Sequence, residues 1–336
     1  MDGMYAGEKI DLFCHIIPPK FKEMLFGRAG RKSYYLQTIA RLPALTDLDL
    51  RFRAMDLYEG LRQVLDLGAP PVEHLLSPED AAEAARIAND EMAELVDKYP
   101  DRFVGFVAGL PMNDVDAALR ETDRAVKELK CKGVQLFTSI NGKPLDRPEF
   151  LPLYEKLAAY DLPVWIHPVR DNDRGDYAGE PSPKYSLFNN FGWPYETTLA
   201  MGRLVGSGVM EKFPTLAFIA HHCGAMLPFF WCRVGHTRKA AQPGEVAELS
   251  KPPLDYFKKF YGDTVLGANT PALMCGYAFF GADHMVFASD YPYPGGAQHG
   301  DTAVGEVIEA IDLMTIPPSE KAKIFSGNAG RLLKLS

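Results

Sequence analysis

Eight short apolar runs recur along the chain, each separated from the next by a segment with helical periodicity, and this alternation restricts the fold more than any other feature of the sequence. The runs are KIDLFCHI from Lys9, LRQVLDL from Leu61, RFVGFVAGLP from Arg102 and KGVQLFT from Lys132. They continue with LPVWIHP ending at Pro168, TLAFIAHH ending at His222, KKFYGDTVL ending at Leu266 and HMVFASDYP ending at Pro292. Between them, residues 79–100, 113–130 and 301–314 place apolar side chains three and four apart, the spacing of an amphipathic helix. Strand and helix in strict alternation imply right-handed crossovers and a parallel sheet.

An open, doubly wound sheet produces a similar alternation, so the polar residues have to decide. His15, His167, His221 or His222, and Asp290 each fall at the C-terminal end of a run. A closed barrel gathers side chains from many strand ends at one mouth, whereas an open sheet brings strand ends together only at a switch point. The expected fold is therefore α/β, a (β/α)8 TIM barrel forming one domain over residues 1–336. Residues 16–60 and 169–195 are too long for ordinary connections and are expected to be walls or lids over the mouth.

Composition limits the partners. Hydrophobic residues make up 47% and charged residues 24% of 336 positions, typical of a globular protein. The net charge of −8, without a basic block, leaves no footprint for nucleic acid or an anionic membrane. No run approaches the roughly 18 apolar residues of a membrane span, and the N-terminus lacks a signal-peptide pattern. Five scattered cysteines do not form a disulfide framework, so a reducing cytoplasm is expected. Neither G-x-G-x-x-G after a strand nor a P-loop is present, and a small-molecule substrate is the expected partner.

Singly, each rim residue has a structural explanation, because strand-end histidines are often only hydrogen-bonded and an aspartate often begins a turn. Yet the chain has only eight histidines, and three of eight strand ends carry one. Imidazoles and a carboxylate at one rim suit Zn²⁺, Mn²⁺ or Fe²⁺. In regular pleat His221 and His222 straddle both faces of their strand, so only one of them is expected to look into the barrel.

The blocks DLFCHIIPP, WIHP, IAHHCGAMLPFF, VFASDYPY and IFSGNAGRLLKL, in that order, resemble the decarboxylase branch of the amidohydrolase superfamily over essentially the whole chain. The resemblance implies a (β/α)8 barrel with one divalent metal, Zn or Mn, acting on a small carboxylate. It assigns metal ligation to His15, His167 and Asp290, and it places the strand-6 family histidine at His222, with His221 the weaker match. Catalytic roles fall to Asp290 as proton donor and His222 as proton shuttle or hydrogen-bond partner. Phe13, Arg170, Trp193 and His221 are candidate substrate contacts, Arg170 as a carboxylate clamp, and the family habit suggests a homodimer.

One position departs from the pattern. Relatives carry His or Glu two residues before the strand-1 histidine, and this chain carries Phe13. On a regular strand Asp11 shares a face with Phe13 and His15 but lies about 13 Å back at ~3.3 Å per residue, and Glu8 is on the other face. Neither replaces the missing ligand. The implied reaction is non-oxidative decarboxylation of an aromatic or unsaturated acid. The alternatives are a hydrolase of lactones or carbon–carbon bonds, a hydratase, or a metal-free binding or structural protein on a degenerate barrel.

Overall fold

The computed structural model describes residues 5–29, 33–170, 172, 175–234, 246–293 and 300–335. Eight parallel strands follow one another around a single sheet: β1 (Lys9–Ile16), β2 (Leu61–Leu67), β3 (Phe103–Gly109), β4 (Gly133–Phe137), β5 (Val164–His167), β6 (Phe218–Ala220), β7 (Tyr261–Asp263) and β8 (Met285–Val286). Each of the eight apolar runs supplies one of them. Past the short β8, the chain from Phe287 to Tyr291 runs against β1 and closes the ring. Leu12 N–H donates to Phe287 O at 3.0 Å, Asp290 N–H to Phe13 O at 3.1 Å, and His15 N–H to Tyr291 O at 2.7 Å. The eight strands form a (β/α)8 barrel.

The three helical segments read from periodicity are helices Pro78–Lys98, Val115–Lys127 and Gly300–Asp312. Their starts follow local chemistry: Ser77 Oγ accepts from Asp80 N–H with Pro78 in the first turn, and Asp114 Oδ1 accepts from Ala117 N–H. Apolar faces of the helices pack on the outside of the sheet in one extensive core. A second, smaller core fills the barrel itself, with Ile10, Leu12, Phe13, Val64, Val107, Trp165, Ile219 and Val286.

Trp165 is the largest buried side chain and crosses the interior to donate from Nε1 to Leu12 O at 2.7 Å. It fits because residue 133 is glycine: a Cβ there would lie 2.4 Å from the indole. Ala329 and Leu333 of the C-terminal helix Asn328–Leu333 pack on the same inner cluster, and Asn328 Nδ2 donates to Ala282 O and Met285 O at 2.7 and 2.6 Å. The GNAGRLL block thus anchors the start of β8. No helix among the described residues is long and apolar enough to cross a membrane.

Strand β1 is not regular. Its register against β2 shifts between Asp11 and Cys14. An extra residue in one strand breaks the alternation of faces, and consecutive Leu12 and Phe13 both enter the barrel core. Asp11 turns away instead, accepting from Ser289 N–H at 2.9 Å and from the Ser289 hydroxyl. The expectation that Asp11 shares a face with Phe13 is corrected by this bulge.

Both long insertions reach the mouth, although residues 30–32, 171, 173 and 174 within them lie outside the described residues. Residues 16–60 contain helices Pro19–Arg28, Tyr34–Arg41 and Leu48–Met55. The second insertion is less of a loop than its Pro/Gly content suggests, since helices Leu187–Asn190 and Gly192–Gly206 occupy its C-terminal part and beyond. Tyr34, Tyr35 and Thr38 from the first insertion face Asn190, Phe191 and Trp193 from the second across a cavity of about 1100 Å³.

Candidate active site

At the C-terminal end of the barrel, β1 delivers His15, β5 delivers His167, and the segment after β6 delivers His221. The three imidazoles are 0–2% exposed, and one ring nitrogen from each lies within 4.8 Å of the other two. Asp290 joins them from the chain after β8, with Oδ1 2.9 Å from His15 Nε2 and 3.4 Å from His221 Nε2. It adopts φ of +64°, a left-handed conformation that aspartate tolerates better than most residues.

The opposite edge of each ring is pinned. His15 Nδ1 lies 3.2 Å from Asp66 Oδ2 at the end of β2, His167 Nδ1–H donates to Pro168 O at 2.7 Å, and His221 Nδ1–H donates to Asp263 Oδ2 at 2.6 Å. Each acceptor favours the proton on Nδ1 and leaves Nε2 aimed at the centre. His221 Nε2 is buried and without a hydrogen bond among the described residues. One group of donors joins His15, His167 and His221, a second joins His221, His222 and Asp290, and these imidazoles and carboxylate are the donor types of a divalent-metal site, so the residues present fit such an ion.

Electrostatics follow from burial and the carboxylates. Burial opposes charge on His15, but Asp66 and Asp290 outweigh it and push its pKa up to about 10. His221 is equally buried and is pushed up to about 9 by Asp263 and Asp290. Burial and the neighbouring His15 and His221 hold His167 well below the ordinary imidazole range. Burial opposes ionisation of Asp290, yet the hydrogen bond with His15 and the neighbouring His221 imidazole hold it well below the usual carboxylate range.

Both histidines of the HH pair reach the site, against the expectation that only one would. The pleat rule fails because β6 ends at Ala220. From His222 to Ala225 four consecutive residues have positive φ, between 55° and 67°. That left-handed run is held by one carboxylate: Asp263 accepts from His222 N–H at 3.2 Å, Cys223 N–H at 2.8 Å and Val265 N–H at 3.0 Å. Gly224 within it leaves no room for a Cβ, which would meet Phe280 at 2.7 Å. His221 takes the buried place beside His167, their ring centroids 5.0 Å apart, although the sequence favoured His222 for the strand-6 role. His222 lies on His221 at 4.0 Å and faces the mouth cavity, with its pKa pushed down to about 3 by burial and by His221.

Phe13 lies beneath the imidazoles, sealed in the barrel core and outside the mouth cavity, so the substrate contact expected of it is corrected. Its ring centroid is 4.2 Å from that of His221, 6.2 Å from His15 and 6.4 Å from His167. Trp193 stands in the wall 5.7 Å from His167, and Tyr293 stands 5.5 Å from His15. Of the other aromatics of the second insertion, Phe191 lines the cavity, Phe188 packs on Tyr34, and Tyr177 and Tyr185 are 77% and 84% exposed and wall nothing.

Arg170 does not line the mouth cavity. Its Nη1 pairs with Glu196 Oε1 at 2.8 Å, and its side chain borders a separate cavity of about 390 Å³. Only its carbonyl turns towards the site, accepting from Tyr35 Oη at 3.1 Å and Trp193 Nε1 at 3.5 Å. The clamp role expected for this arginine is corrected accordingly. Asp66 and Asp263 escaped the sequence reading, although both sit at the C-terminal ends of their strands, the same signal that marked His15, His167 and Asp290.

The closed barrel with three histidines and an aspartate at its C-terminal mouth defines a barrel protein with a site able to hold a metal. The amidohydrolase family model matches residues 10–335, and the chain belongs to that family. It is 33% identical to a γ-resorcylate decarboxylase of Polaromonas sp. over 86% of this chain and 87% of the relative. It is 28% identical to the 2-amino-3-carboxymuconate-6-semialdehyde decarboxylase of Dictyostelium discoideum over 97% and 92%. Among solved structures, a dihydroxybenzoic acid decarboxylase from Polaromonas sp. with bound manganese and the inhibitor 2-nitroresorcinol superposes with a TM-score of 0.80. The identity is 28%, over 98% of this chain and 97% of that one.

Proposed function

We propose that this chain is a metal-dependent non-oxidative decarboxylase of an aromatic or unsaturated carboxylic acid. The observation that carries the reading is the placement of Asp290, His167 and His222 on one aromatic-walled cavity, with Asp290 bonded to the buried His15. The similarity to decarboxylases along nearly the whole chain supports it.

His15, His167 and Asp290 would hold a divalent ion, Zn²⁺ or Mn²⁺, which when bound would supply Lewis-acid polarisation of the substrate carboxylate or a neighbouring oxygen. The rest is the work of the chain. Trp193, Phe191 and Tyr293 around the cavity hold an apolar ring and exclude water from it, while Phe13 packs beneath His221. The bond between the ring carbon and the carboxyl group breaks, CO₂ leaves, and one proton is added at that carbon, so no oxidant is required. Asp290 is the proton carrier by position, since its side chain is 16% exposed while those of His15 and His221 are sealed; held ionised by those two histidines, it takes up a proton from the bound acid or solvent before delivering it to the carbon. His222, whose Nδ1 is buried without a hydrogen bond among the described residues, is the partner for a phenolic oxygen or the relay for the proton.

A homodimer in the cytoplasm completes the proposal. Exposed Phe229 and Trp231, 76% and 43%, support a face for a second copy, and the buried thiols of Cys14, Cys131 and Cys223 suit a reducing compartment.

The test is a panel of hydroxybenzoates and unsaturated acids incubated with metal-loaded protein in deuterium oxide. The expected result is CO₂ release with a single solvent deuteron at the vacated carbon. Incorporation of solvent oxygen into the product without CO₂ would instead assign a hydrolase or hydratase.

A further inference from the structure

Position 13 cannot ligate, which raises the question of what replaces the donor that a histidine or glutamate there would provide. The phenyl ring packs against His221 more closely than against either of the other imidazoles. His221 stands where a fourth donor is needed. It is fully buried, its Nδ1–H is committed to Asp263 at 2.6 Å, and its Nε2 lies 3.4 Å from Asp290 Oδ1 without a hydrogen bond among the described residues.

His222 shares a donor cluster with His221 and Asp290 but not with His15 and His167, and it differs from His221 in exposure and anchoring. It is partly exposed and lines the mouth cavity, where a substrate has access to it. His221 is absent from that lining and shares a nitrogen cluster with His15 and His167. The anchoring also differs: His221 is oriented by a carboxylate on its far nitrogen, the arrangement that fixes ligating histidines, whereas His222 Nδ1 has no hydrogen-bond partner among the described residues.

We infer that His221 is a metal ligand in this chain, so that the ion is held by three imidazoles and Asp290, with the β6 histidine standing in for the ligand lost at Phe13. The inference rests on reading the site as a metal centre and deepens it. A set of three nitrogens and one carboxylate is richer in borderline donors than the sites manganese prefers, and it selects zinc or cobalt over manganese.

The experiment is a titration of metal-free protein with Co²⁺, read by its visible d–d absorption and by competition with Zn²⁺ and Mn²⁺. The wild type, His167→Ala, His221→Ala, His222→Ala and the double variant Phe13→His/His221→Ala are compared, each checked for folding by circular dichroism. The expected result is one Co²⁺ bound by the wild type and displaced by Zn²⁺ far more readily than by Mn²⁺. His221→Ala should change the spectrum and weaken binding roughly 100-fold or more. His222→Ala should leave both as they are, and the double variant should recover affinity, which a merely misfolded His221 variant would not do. Wild-type affinity and spectrum in His221→Ala, with both lost in His167→Ala, would overturn the ligand role while leaving the metal centre standing. Failure of the wild type to bind Co²⁺ or Zn²⁺ would overturn the metal reading itself.

Discussion

Asp263 and His221 are joined at 2.6 Å between Oδ2 and Nδ1, and the same carboxylate holds the amides of His222, Cys223 and Val265. One side chain on β7 therefore fixes both the tautomer of a site histidine and the left-handed turn that presents the next one. Replacing it with asparagine removes the negative charge and one of the two acceptor oxygens. Asp263→Asn is expected to weaken metal binding by about 10- to 100-fold. Chelator competition measures the affinity, and faster hydrogen exchange at the amides of residues 222, 223 and 265 would report the loosened turn.

Arg51 is a second hidden support. It is fully buried, donates to His15 O and to Gln63 Oε1 at 2.8 Å, and stacks over Tyr291 at 4.8 Å. It thereby ties the C-terminal end of β1 to the first half of β2 and to the segment bearing Asp290. Arg51→Met should cost on the order of 3 kcal/mol, because it leaves a buried carbonyl and a buried amide oxygen unpaired. Lysine should not restore the loss, since its single ammonium lacks the planar fork. Denaturant midpoints of the three proteins give the comparison.

Glu73, on the short helix after β2, is 4% exposed, and burial pushes its pKa from 4.5 up to about 8. The folded state thus keeps a proton that the unfolded chain has released throughout that interval. Stability from this group is highest below pH 4.5 and is lost as pH rises through about 8, at up to about 1.4 kcal/mol per pH unit. Glu73→Gln carries no such loss. The stability difference between Glu73→Gln and the wild type should therefore widen in favour of the variant on going from pH 5 to pH 8. Thermal melts at a series of pH values test this, and parallel profiles would count against it.

Trp193 stands in the cavity wall 5.7 Å from His167, whereas Tyr177 of the same insertion is 77% exposed. Trp193→Ala should raise KM for an aromatic acid by about tenfold through lost stacking and burial, with a smaller change in kcat. Tyr177→Ala should leave both constants unchanged. Steady-state kinetics on one substrate distinguishes the two positions.

The sequence by itself determined the eight strands, the barrel and the rim residues His15, His167 and Asp290, because hydrophobic periodicity and polar strand ends are local properties of the chain. Only the tertiary structure decided how neighbouring side chains are turned. The bulge between Asp11 and Cys14 sends Leu12 and Phe13 to the same side, and the end of the β6 ladder at Ala220 frees His221 and His222 from alternation. The period-two rule holds only while a strand remains paired in regular register. In the same way, Arg170 answers to Glu196 rather than to the mouth, and Asp66 and Asp263 acquire their roles from histidines on neighbouring strands. These are contacts between elements distant in sequence, fixed by burial and charge pairing when the barrel closes; the strand-end positions of the two aspartates are local, but their partners are not.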